Sequence, residues 1–183
     1  MAKTKLYLKR EQDISVLDEF YSGIADMDAF IHTRLSVFLR VYSNSRFYVL
    51  REEQGRVIAM FVTSAGQLFL DEDCKEDLRM KFPDIESRPD LKEYWEGGLF
   101  PSIEINYLAV HKDYQHKHIG RKLINTIAKF KDDLFYNHPL FISVDAYCTN
   151  EYSAVRFYER CGFWAAEFRG QHIDSLRMYR TLS

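Results

Sequence analysis

The stretch Ile103–Phe130, IEINYLAVHKDYQHKHIGRKLINTIAKF, decides the architecture. IEINYLAV is strand-like, HKDYQHKH breaks the pattern, and IGRKLINTIAKF is an amphipathic helix with Ile119, Leu123, Ile124 and Ile127 on one face. A strand feeding a helix through a loop points the helix's first unpaired N–H groups, and the positive end of its dipole, out of the loop. The loop is locally basic: Lys112, Lys117, Arg121 and Lys122 stand against Asp113, with His111, His116 and His118 among them. Such a corner suits a diphosphate, although the same pattern also fits an ordinary solvated strand-to-helix connection.

Working outward, residues 4–9 alternate as a first strand, and Asp13 caps a helix that puts Ile14, Leu17 and Tyr21 on one face and ends at Gly23. Residues 27–41 form a second helix, with Met27, Phe30, Ile31, Leu35 and Phe38 at helical spacing. RFYVLRE and RVIAMFVTSA read as a hairpin turning at Gly55. Residues 71–98 carry ten acidic and five basic side chains, punctuated by Pro83, Pro89 and Gly97-Gly98, and read as an inserted excursion with two short helices, too charged for the core. LFISVDA is a strand, EYSAVRFYER a helix capped by Thr149 or Asn150 and stopped by Gly162, and FWAAEFR and SLRMYRTL are closing strands. The order predicts one α/β domain over residues 1–183, a mixed central sheet flanked by helices.

Composition narrows the classes. With 183 residues, 46% hydrophobic and 28% charged, the chain is globular. A net charge of −2 gives no global basic field for nucleic acid. Cys74, Cys148 and Cys161 form no paired spacing, and the loop histidines lack an HExxH partner pattern, so neither a disulfide framework nor a metal is expected. No apolar run approaches a membrane span and the start lacks an apolar signal core, so the expectation is a soluble, cytoplasmic protein.

Two further residues matter for chemistry. Tyr158 shares a helix face with Ala154 and Val155 and points inward, either as a core residue or as an acid facing a ligand. Glu104 lies on the strand before the basic loop, on the face of Asn106 and Leu108, as a structural carboxylate or a base. Cys148 reads as a small hydrophobe.

Together these segments resemble the GNAT superfamily of acetyl-coenzyme A dependent N-acetyltransferases. Its loop pattern [QR]-x-x-G-x-[GA] is met at Gln115 and Gly120 but not at His118, and Ala-x-x-Phe-Tyr-x-x-x-Gly-Phe is met by Ala154, Phe157, Tyr158, Gly162 and Phe163. The resemblance implies a GNAT fold, acetyl-coenzyme A as co-substrate, and transfer of acetyl to a primary amine. It assigns cofactor binding to Leu108, Ala109 and Val110, to Gln115, His116, Lys117, His118, Ile119, Gly120 and Arg121, and to Asn150, displaced by one place from the family's asparagine. It implies Tyr158 as the acid for the leaving thiolate and Glu104, or a water beside it, as the base.

FYSGIADMDAFI is also similar to the signature of the toxin-type subgroup, F-x-[CS]-G-x-x-x-[LM]-[DN]-x-[FW]-[LI], at Phe20, Ser22, Gly23, Met27, Asp28, Phe30 and Ile31. That subgroup implies aminoacyl-tRNA as acceptor and a small antitoxin as partner. The acidic excursion argues against a polyanion, so nucleic acid is expected only under that alternative. A catalytically silent acyl-coenzyme A binding module is the other alternative, raised by His118. The acceptor is otherwise a small-molecule or protein amine, with a second copy of the chain as a further candidate partner.

Overall fold

The computed structural model describes residues 5–87, 89, 91–129, 139–166 and 174–182. Its strands are β1 (Leu6–Glu11), β2 (Arg46–Glu52), β3 (Val57–Phe69), β4 (Leu99–Val110), β5 (Phe141–Tyr147), β6 (Trp164–Ala165) and β7 (Ser175–Thr181). Its helices are α1 (Ala25–Thr33), α2 (Leu35–Val41), α3 (Glu72–Lys81), α4 (Lys92–Gly97), α5 (Ile119–Lys129) and α6 (Val155–Arg160). The strands form one mixed seven-stranded sheet in the order β1-β2-β3-β4-β5-β7-β6, the α/β arrangement of a GNAT fold. Two compact units share the chain, residues 1–64 with 105–127 and residues 65–104 with 128–183, and β3 and β4 pass from one to the other.

In the first unit β1, β2 and β3 pair antiparallel, and VIAMFV of β3 is buried throughout, as a strand covered on both faces requires. Phe20, Ile31, Leu35, Val49, Met60 and Ala109 are among its core residues. The helix expected after Asp13 is instead one 3-10 turn, Ile14–Leu17. Asp13 does cap it, accepting from Ser15 N–H, but the chain then leaves the helical path so that Phe20 is buried at 1% exposure while Tyr21 stands 47% exposed. The long helix over 27–41 breaks at Arg34 into α1 and α2. Thr33 donates its hydroxyl back to the Ala29 carbonyl at 2.6 Å, a contact that bends helices, and the break leaves Phe30, Ile31 and Leu35 all buried.

The second unit corrects the reading of the acidic excursion. Its two helices do form, but they are not excluded from the core: Leu78, Leu91 and Trp95 pack with Phe100, Phe141 and Tyr179. The acids of α3 occupy the outer face, where Arg79 pairs with Glu76 at 2.8 Å and Glu86 at 3.0 Å, while Lys75 is buried and pairs with Glu72 at 2.7 Å. Periodicity within α3 separates a buried apolar stripe from exposed acids, which a count of charges does not register. The start of α6 also differs. Thr149 closes a turn with Tyr152, Asn150 is exposed, and Ser153 Oγ accepts from Val155 N–H at 3.3 Å. The end of α6 is as expected: Gly162 takes φ +84°, Gly162 N–H donates to Glu159 O and Phe163 N–H to Tyr158 O, the paired bonds of a glycine helix stop. The strand expected over 163–169 is Trp164–Ala165, with its last three positions outside the described residues. Among the described residues no helix is long and apolar enough to cross a membrane.

Candidate active site

The loop after β4 is built by side chains that hold it rather than by its own periodicity. His111 N–H donates to Ile58 O at 2.9 Å, and Lys112–Tyr114 form a 3-10 turn. Tyr114 donates its hydroxyl to Glu52 at 2.9 Å, and Arg56 pairs with Asp113 at 2.8 Å while lying over the Tyr114 ring. The Arg56 hydrogen bond holds the Asp113 carboxyl below the usual range. Lys117 spends its ammonium on the Asp113 carbonyl, 2.9 Å away, and on the other contact with Tyr114. Gln115 donates its amide to Ser22 O at 2.7 Å and Val110 O at 3.1 Å.

His116 and His118 both have φ +59°, and both are exposed. His118 thus takes the left-handed backbone for which glycine is the usual residue, at the place where the loop pattern lacks its glycine. α5 starts at Ile119, where its first N–H groups have no intrahelical partner, and buries Ile119, Gly120, Leu123, Ile124 and Ile127 as the sequence predicts. Arg121 and Lys122 are exposed and belong to no ion pair among the described residues. Left-handed loop backbone, a helix start and these cations are features that fit a diphosphate. Ala109 faces inward and is buried, whereas Leu108 and Val110 are half-buried.

His111 is held inside the fold. It is 3% exposed, its Nδ1 accepts from Asp113 N–H at 3.2 Å, and its ring meets Phe20 edge-on. Burial, aided by Arg56, pushes its pKa down, which favours the neutral ring. Because the folded value lies below that of the unfolded chain, its contribution to stability is present above about pH 6.5 and is lost as pH falls through the folded value. The urea midpoint should therefore drop between pH 7.5 and 5.5 more steeply for the unmodified protein than for His111→Asn. No group of three or more His, Cys, Asp or Glu among the described residues is placed to hold a metal.

In the second unit Glu104 is ion-paired. Arg177 lies 2.9 Å from Glu104 Oε1 and 3.2 Å from Asp145, and also donates to Ser143 Oγ at 3.3 Å. A Cβ at Gly66 would stand 2.9 Å from Glu104 Oε2, so the glycine makes room for this carboxylate. Arg177 and the space left at Gly66 thus fix where the Glu104 carboxyl group stands. Sequence reading missed Arg177 because its partners are distant along the chain. Asn106, in the first unit, has an Oδ1 that is buried without a hydrogen-bond partner among the described residues.

Tyr158 is buried at 6% exposure between the rings of Phe157 and Phe163. Burial raises its phenol well above the ordinary range, so the hydroxyl keeps its proton at any working pH. Such a group can act only as a donor or a neutral partner. Asn150, on an exposed turn, offers no arrangement of this kind.

The fold has counterparts among known proteins. Residues 85–165 match the acetyltransferase (GNAT) domain family. A search of the curated proteins found no match. Among solved structures, a bacterial toxin aligns over 98% of this chain and 92% of its own, with a TM-score of 0.69 and 16% identity. AtaT complexed with acetyl-methionyl-tRNAfMet aligns over 94% of each chain, with a TM-score of 0.62 and 16% identity. A tyrosine-to-phenylalanine mutant of the AtaT toxin, bound to the C-terminus of the antitoxin AtaR and acetyl-CoA, aligns over 97% of this chain and 94% of its own, with a TM-score of 0.59 and 15% identity. At such identities the likeness is one of fold.

Proposed function

We propose that this chain, which has the GNAT fold and carries a GNAT acetyltransferase domain match, transfers an acetyl group from acetyl-coenzyme A to an amine. The observation that carries the reading is the loop Gln115–Gly120, whose left-handed backbone at His116 and His118 opens onto the start of α5. In this reading the loop and Arg121 hold the diphosphate, and the backbone of Leu108–Val110 orients the thioester carbonyl and supports its developing charge. Tyr158 gives its proton to the departing thiolate. The acceptor ammonium loses its proton to Glu104 or to a water beside it, with Arg177 holding the carboxyl group in place.

Calorimetric titration with acetyl-coenzyme A tests the first step. The expected affinity is submillimolar, which needs more than about 4 kcal/mol, and an absence of heat and of thermal stabilisation at near-millimolar ligand overturns the reading. Thiol release over an amine panel then separates an enzyme from a silent binding module. The loop itself yields a further prediction. Since a left-handed backbone costs a non-glycine residue ~1–2 kcal/mol, His118→Gly should keep or improve coenzyme A affinity, and the β-branched His118→Val should weaken it roughly tenfold. Loss of affinity in His118→Gly would instead assign the diphosphate contact to the imidazole.

A second reading is favoured by one observation. Residues 1–64 and 105–127 hold 13 basic and 9 acidic side chains, a surplus of +4, while the remainder holds 12 and 18, a surplus of −6. The low global charge therefore hides a basic unit, and that unit contains the toxin-type signature. Under this reading the acceptor is the amino group of an aminoacyl-tRNA, with a small antitoxin as partner. Salt-sensitive tRNA binding, with an acetylated aminoacyl-tRNA product by mass spectrometry, would place it first.

A further inference from the structure

Gln115 occupies the first position of the cofactor loop, yet its side chain turns away from that loop's open face. Its amide bridges two carbonyls, Val110 O at the end of β4 and Ser22 O before α1. Ser22 is in turn the centre of a closed knot. The Asp28 carboxylate accepts from Ser22 N–H at 2.6 Å, Ser22 Oγ at 2.7 Å and Gly23 N–H at 3.1 Å. Beside it, Lys112 N–H donates to Tyr21 O at 2.9 Å, and His32 Nε2 lies 3.0 Å from Phe20 O. The signature Phe20–Ile31 therefore acts as a mount for the loop, with Phe20, Phe30 and Ile31 as its buried base.

From this arrangement we infer that Gln115 couples the cofactor loop to the Ser22–Asp28 turn. Filling the loop stiffens the turn, and whatever reshapes the turn alters affinity at the loop. The physical reason lies in the loop's own backbone. Two adjacent-but-one histidines with φ +59° resist their conformation, so the loop needs an external hold, and Gln115 is a side chain of the loop that reaches a second element. A ligand that pins the loop then removes freedom the turn would otherwise share, and by linkage the effect runs equally in the reverse direction. Gln115 is a positioning residue in this account, and the ligand part of the inference rests on the reading that the loop holds acetyl-coenzyme A.

Hydrogen exchange on the whole protein tests it at residues whose N–H partners are known. In the ligand-free protein, Gln115→Met, which keeps the side chain's volume, should speed exchange at Ser22 and Gly23 by at least about fivefold, the scale of one lost hydrogen bond. Asp28→Asn should speed exchange at Tyr114 and Gln115, at the other end of the link. If each variant changes only its own end, the coupling is wrong, whether or not any ligand binds. With coenzyme A, binding confirmed by calorimetry should slow Ser22 and Gly23 in the unmodified protein and leave them unslowed in Gln115→Met. Calorimetry without heat counts against the cofactor reading alone, whereas binding that slows Ser22 equally in both proteins overturns the coupling.

Discussion

Tyr158→Phe is expected to lower kcat by roughly 10²- to 10⁴-fold, the contribution of a positioned general acid, with coenzyme A affinity changed by less than about threefold. The substitution removes one hydroxyl and leaves the ring against Phe157 and Phe163, 5.0 and 5.3 Å away between centroids, so packing at the end of α6 survives. Burial keeps the phenol protonated, so the rate should show no basic limb from this residue in the ordinary working range. Rate constants and affinities measured on the same preparation check the split. An unchanged kcat makes Tyr158 a core residue and moves the protonation of the thiolate to solvent.

The largest effect on stability is expected at Asp28. Its carboxylate takes three hydrogen bonds, two of them from buried Ser22, and charge-assisted bonds of this kind are individually worth more than neutral ones. Asp28→Ala leaves those donors without an acceptor and should cost about 3 kcal/mol, which for a chain of this size lowers Tm by roughly 6–12 °C. Asp28→Asn retains one acceptor oxygen and should recover part of the loss. Thermal denaturation of both variants decides the matter, and an Asp28→Ala protein as stable as the unmodified one would show that water replaces the knot at little cost. The signature thus has a mechanical meaning: phenylalanines and Ile31 anchor it, the serine and glycine present N–H groups, and the aspartate gathers them.

Local features were legible where a short stretch carries its own cause. The α5 stripe of Ile119, Leu123, Ile124 and Ile127, the cap at Asp13 and the glycine stop at Gly162 each follow from neighbours within a turn or two, and each stands as read. The start of α6 differs from the reading because the Cys148–Ser153 bridge folds residues 149–152 into a turn, so that the helix starts after Ala154, with no side-chain cap. The excursion at 71–98 was misread because charge was averaged over a segment whose two faces differ. Leu78, Leu91 and Trp95 lie among those charges as the apolar stripe.

By itself the sequence determined the succession of seven strands, the amphipathic helix behind the basic loop, the family resemblance and the residue types at the loop. These follow from periodicity and from motif spacing, which act over a few residues. Tertiary structure alone decided that Gln115 spans to Ser22, that Arg56 and Glu52 clamp the 3-10 turn, and that Arg177 claims Glu104. Each of these contacts joins segments tens of residues apart, and their donors and acceptors meet only after the strands have paired. It also decided that His118 takes a left-handed backbone at φ +59°, a conformation its side chain must accept.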